Sequence, residues 1–151
     1  MSIERRRRAR GEGGSALVEV TWLSVLLLVP LLYILLTAFD VQRAAYGVSG
    51  AARAAARAYS LAPDEGSAPG RARSAAAVAL QDQRIPPGDV ALRVTCRPVP
   101  GNCLAPGSQI SVDVGYRVPL PLVPRALGGG RPSVRVEATS TVAYGTFRED
   151  R

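Results

Sequence analysis

From Val20 to Phe39 the chain carries no charged side chain through twenty consecutive residues. A helix rising 1.5 Å per residue covers about 30 Å over that length, the thickness of a bilayer's hydrocarbon core. A membrane helix is therefore expected over residues 15–39, and any folded domain must be built from the residues C-terminal to it. Pro30 lies near the middle of the run and removes one backbone hydrogen bond, so a kink is expected there. Trp22 falls near one boundary, where an indole can hold the headgroup level, and Tyr33 lies about three turns further on.

A basic, Gly-rich leader, residues 1–14, precedes the run. It contains Arg5, Arg6, Arg7, Arg8 and Arg10 against Glu4 and Glu12. It has no apolar periodicity and reads as disordered. Positive residues beside a membrane run stay on the cytoplasmic side. The expectation is a single-pass protein of the cell membrane, N-terminus cytoplasmic and C-terminal part extracytoplasmic. A removable secretory signal fits poorly, because the apolar run exceeds 7–15 residues and no A-x-A site comes after it.

Helix-forming sequence continues past Asp40 through residues 40–60, rich in Ala with Arg43, Arg53 and Arg57. Gly47, Ser49 and Gly50 interrupt it; they read either as a bend or as a place where a neighbouring helix approaches closely. The helix should end near Ser60–Pro63. In residues 61–88, Pro63 to Gly70 is a loop by composition, and Arg71 to Gln83 is a short helix with an apolar stripe of Ala72, Ala75, Ala76, Ala79 and Leu80. Pro86-Pro87-Gly88 stops it.

In residues 89–151 the period changes to two. Val90, Leu92, Val94 and Cys96 alternate with polar or small residues, as do Ile110 to Val118 and Val134 to Tyr144. Three half-buried strands make a small antiparallel sheet able to lay its apolar face on a helix. Pro119 to Pro124 reads as an extended connection and Gly128-Gly129-Gly130 as a flexible tip. The fold class is α+β: a long N-terminal transmembrane helix extending outward, a short second helix and a three-stranded antiparallel sheet. Roughly ninety residues lie beyond Tyr59, so the core is thin.

Composition removes several functions. The chain has no histidine, which excludes His triads and His metal sites, and two cysteines are too few for a four-thiolate zinc site. The net charge is +7, carried by arginine alone, but the arginines after the leader are scattered and few aromatics accompany them. No nucleic-acid partner is therefore expected. Asp89, Asp113 and Glu137 are single carboxylates on polar strand faces and read as solvated surface. No phosphate loop or metal cluster is visible. The expectation is a protein that is not an enzyme and takes no cofactor.

Cys96 and Cys103 enclose a turn-rich segment containing Pro98, Pro100 and Gly101. A disulfide there would close a hairpin loop, and the orientation argument places it where disulfides persist. The alternatives are a redox pair or two free thiols, although the spacing is not that of a C-x-x-C motif.

Glu19 stands at the edge of the apolar run. It is either a boundary carboxylate favoured by a helix N-terminus or a charge with a partner. Its spacing bears on the choice. Gly14 is succeeded by Ser15-Ala16-Leu17-Val18 and then Glu19, behind a basic leader and ahead of a long apolar helix. This resembles the class III signal of type IV pilins and pseudopilins. With Asp40 near the outer end of the helix, and Ala52-Arg53 and Ala56-Arg57 beyond it, residues 10–60 look like TadE-like pseudopilins of the tight-adherence (Flp, type IVb) pilus system. Ser15 stands where type IV pilins usually have Phe.

The resemblance implies a bacterial membrane protein cut between Gly14 and Ser15 by a prepilin peptidase, with Glu19 the fifth mature residue. Glu19 would then neutralise the α-ammonium of a neighbouring subunit and set the assembly register. The implied partners are the membrane, the peptidase, other pilins or pseudopilins, and the pilus assembly platform. The alternative is an uncleaved signal-anchored protein with a small extracytoplasmic binding domain.

Overall fold

Helix α1 spans Gly13–Ser60 and runs without interruption through Pro30, Gly47 and Gly50. This is a computed structural model, and it describes residues 13–120 and 132–147. Most of the basic leader, Pro121 to Pro124 of the Pro-rich connection and the Gly128–Gly130 tip lie outside the described residues. After α1 come α2 (Ala68–Asp82), a single 3-10 turn (Pro87–Asp89), β1 (Val90–Arg97), β2 (Gln109–Pro119) and β3 (Ser133–Ala143). The architecture is α+β, with a long apolar N-terminal helix, a short second helix and a three-stranded antiparallel sheet.

The chain divides into two units, Met1–Ala38 and Phe39–Arg151. In the first, the described residues are helix alone. In the second, the sheet order is β1-β2-β3, so β2 is central and β1 and β3 are edges. Val94 faces Val112 and Cys96 faces Ile110 across the first pair; Val114 faces Ala138 and Ile110 faces Val142 across the second. The alternation of two places one face of every strand inward. Val112 and Ile110 of β2 are fully buried, whereas β3 reaches only half-burial at Val136, Ala138 and Val142.

Alanine dominates the helical side of this core. Ala44, Val48, Ala51, Ala52, Ala55, Ala56 and Tyr59 recur at three- and four-residue intervals along α1 and are all buried. Ala68, Ala72, Ala76 and Leu80 do the same on α2. Arg53 and Arg57 fall between the buried positions of α1 and stay exposed. Gly47 does not interrupt α1; of its two readings, close approach is the one observed, made by the C-terminal end of α2 and the residues just after it. A Cβ there would lie 2.7 Å from Ile85 Cδ1 and 3.1 Å from Gln83 Cβ, so its lack of a side chain admits the segment after α2.

Two boundaries depart from expectation. α1 begins two residues before Ser15. α2 begins at Ala68, three residues before Arg71, because Pro69 in the first turn of a helix sacrifices no hydrogen bond and presets φ. The Asp64 carboxylate accepts from the Ser67 N–H at 2.8 Å and the Ser67 hydroxyl at 3.0 Å, which holds the turn before that start.

Candidate functional site

Apart from half-buried Tyr33, the large side chains in the apolar stretch of α1 are exposed. Leu17, Val20, Trp22, Leu26, Leu31 and Phe39 are each more than half exposed, as are most of their apolar neighbours. In water such a surface would be a strong association hazard; in lipid it is solvated. Its Thr and Ser hydroxyls at positions 21, 24 and 37 are satisfied, whereas the buried Tyr33 hydroxyl has no partner among the described residues. Thr21 donates to the Leu17 carbonyl at 2.7 Å, Ser24 to that of Val20 at 2.7 Å and Thr37 to that of Tyr33 at 2.9 Å. This back-bonding lets them lie in hydrocarbon without unpaired donors. Among the described residues α1 is the one helix long and apolar enough to cross a membrane, with a mean hydropathy of 2.4 over its most apolar window. That is compatible with a single-pass membrane anchor.

Gly14 and Ser15 lie in the first turn of α1. Glu19 is exposed one turn further on. It has no hydrogen-bond or ion-pair partner among the described residues. Asp40 pairs with Arg43 at 2.9 Å on the helix surface, so its charge is locally matched.

Cys96 and Cys103 are joined by a disulfide with a Cα–Cα distance of 5.2 Å, and both are buried. The bridge links the end of β1 to the loop before β2. Gly101 at the tip has φ +93°, a left-handed conformation that glycine adopts without cost. The Arg97–Pro98 peptide bond is cis.

One carboxylate ties this loop to the helices, and sequence reasoning missed it. Glu65 accepts the Tyr59 hydroxyl at 2.5 Å and the Leu104 backbone N–H at 3.1 Å. Leu104 is fully buried, so its N–H has no access to water. Tyr59 ends the buried stripe of α1. Burial and the adjoining Glu65 carboxylate push its phenol well above the ordinary tyrosine range. Glu65 thus closes a latch between the end of α1 and the residue after the disulfide. Its neighbours Pro63, Asp64, Gly66 and Ser67 are a generic loop composition, which gave no sign of a long-range acceptor.

The three single carboxylates of the β-rich region, Asp89, Asp113 and Glu137, sit at the solvated surface. Asp113 accepts the Thr139 hydroxyl at 2.5 Å, and Glu137 pairs with Arg135. Asp89 is exposed at the end of the 3-10 turn. Among the described residues no group of three or more His, Cys, Asp or Glu could hold a metal ion. No protein-family model, curated protein or solved structure matches the chain.

Proposed function

We propose that this chain is a structural component of a bacterial pilus assembly: a membrane-anchored, TadE-like pseudopilin of the tight-adherence type. A prepilin peptidase cuts it after Gly14. Water adds across the Gly14–Ser15 amide, leaving the leader with a carboxylate and the mature chain with an α-ammonium on Ser15. In lipid either that ammonium or the Glu19 carboxylate alone is expensive. Paired between neighbouring subunits, each favours the ionised form of the other and together they select one axial stagger.

One observation carries the reading: Glu19 has no partner among the described residues and stands five residues after Gly14, at the start of a helix whose large apolar side chains are exposed. The disulfide supports an extracytoplasmic place for the later residues, since such bonds persist outside the cytoplasm. The basic leader supports a cytoplasmic N-terminus.

The test is Glu19→Ala in cells carrying the assembly machinery. Removing the carboxylate is expected to leave membrane insertion intact or improved, and to abolish or strongly reduce incorporation into assembled material. Normal assembly in that variant contradicts the pairing. A wild-type leader left intact by active prepilin peptidase favours the uncleaved, signal-anchored alternative instead.

A further inference from the structure

Among the described residues, no strand covers the outer edge of β1. Two hollows, of about 660 and 540 Å³, lie between that strand and α2 and share Arg73 and Leu92. Their floor is apolar, with Val90, Leu92 and Val94 of β1 only half-buried. Two arginines line them, and the one carboxylate among the described lining residues, Glu65, is already engaged by Tyr59 and Leu104. Arg73 stands between the two hollows and Arg97 lines one of them. Both guanidiniums are exposed and neither has an ion-pair partner among the described residues. An edge strand beside a helix, with an apolar floor, is the geometry in which an extended segment adds a strand: backbone groups pair with the edge and alternate side chains enter the groove.

The same chain carries a segment of matching chemistry. The backbone after β3 is held as far as Tyr144, whose N–H donates to the Ser108 carbonyl at 2.7 Å. Three residues later Phe147 is fully exposed, an aromatic side chain with nothing packed on it. Arg148, Glu149, Asp150 and Arg151 come next, so the acidic match rests on the placement of Glu149 and not on the net charge of the segment. In an extended segment Phe147 and Glu149 point to the same side, about 7 Å apart. That spacing lets one cover the apolar floor while the other meets an arginine.

We propose that the groove between α2 and β1 binds the segment around Phe147 and Glu149 of a second copy, added as a strand on the free edge of β1. Phe147 packs over Leu92 and Val94, and Glu149 pairs with Arg73. Donor segment and acceptor groove are different surfaces, so the contact is heterologous and repeats from copy to copy. It does not depend on cleavage at Gly14.

The experiment uses the full chain in detergent micelles and a fluorescent peptide with the sequence of residues 144–151, read by anisotropy at low salt. Saturable binding is expected. Arg73→Glu in the protein, or Phe147→Ala in the peptide, should weaken it at least tenfold. A peptide carrying Glu149→Arg should recover most of the affinity on the Arg73→Glu protein, which a misfolded variant would not permit. Crosslinking of mixed isotopically light and heavy full-length chains should join the segment of one copy to β1 or α2 of another. Equal binding by a scrambled peptide, no effect of Arg73→Glu, or crosslinks only within single copies would each overturn the proposal.

Discussion

Glu65→Ala should destabilise the disulfide-bearing unit more than any other single carboxylate substitution. Glu65 takes two hydrogen bonds, from the Tyr59 hydroxyl and from the Leu104 N–H. A bond to a charged acceptor contributes about 1.5–3 kcal/mol, and a buried donor left alone costs about 1–3 kcal/mol. Leu104 is at 0% exposure, so water cannot replace the lost acceptor there. Glu65 itself is half-exposed, which puts its bonds at the low end of that range. The expected loss is about 3 kcal/mol for Glu65→Ala. Glu65→Gln keeps one acceptor oxygen but turns an NH2 toward the other donor, for a loss of about 1.5 kcal/mol. Tyr59→Phe removes one of the two bonds and should cost about 1.5 kcal/mol. The double mutant should show a coupling of about 1 kcal/mol or more, because the two side chains touch. Denaturant titration of the full chain in detergent, with the disulfide oxidised and the tyrosines followed by near-ultraviolet circular dichroism, measures all four corners. A Glu65→Ala shift below about 0.5 kcal/mol, or a coupling near zero, would refute the latch.

The raised Tyr59 phenol fixes a pH dependence. The folded state holds that proton more tightly than the unfolded chain, so its contribution is complete below the ordinary tyrosine value of about 10 and is lost as the pH rises above it. Stability measured from about pH 8 to 11 should fall at the alkaline end, and the fall should shrink in Tyr59→Phe. The two helix glycines should respond oppositely. Gly47→Leu forces atoms into Ile85 and Gln83 and should cost about 1–3 kcal/mol, whereas Gly50, with nothing within 4 Å, should gain about 0.5–1 kcal/mol as Ala. Both shifts are read from denaturant midpoints of the full chain. Replacing Cys96 and Cys103 together by Ala opens a loop with a sequence separation of 7 and should cost about 2–3 kcal/mol in thermal or denaturant unfolding. Equal stability of the two forms would contradict the loop's assigned role.

The sheet was legible because alternation of two is a strong signal. Val90 to Cys96, Ile110 to Val118 and Val134 to Tyr144 named the inward faces, and turn residues at the right spacing separated them. The stripe Ala72, Ala76 and Leu80 was legible for the same reason at the helical period. What escaped depended on distance in space. Glu65 belongs to a stretch whose composition says only loop, and its partner Leu104 lies 39 residues away. Gly47 could be read as a bend or as an opening for another helix, because sequence does not show that Ile85 returns against it. The start of α2 was placed late because Pro69-Gly70 resembles a loop until Pro69 is seen in the first helical turn. The candidate processing and assembly residues, Gly14, Ser15 and Glu19, rest on a resemblance carried by spacing and charge pattern, to which the packed core contributes nothing.

The most direct test of the proposed role is the mature N-terminus. The wild-type chain, isolated from membranes of cells with an active prepilin peptidase, should give an intact mass and an N-terminal sequence beginning Ser15-Ala16-Leu17-Val18-Glu19, with residues 1–14 absent. A chain that still begins at the leader under those conditions, with the peptidase shown to process another substrate in the same cells, would contradict the account.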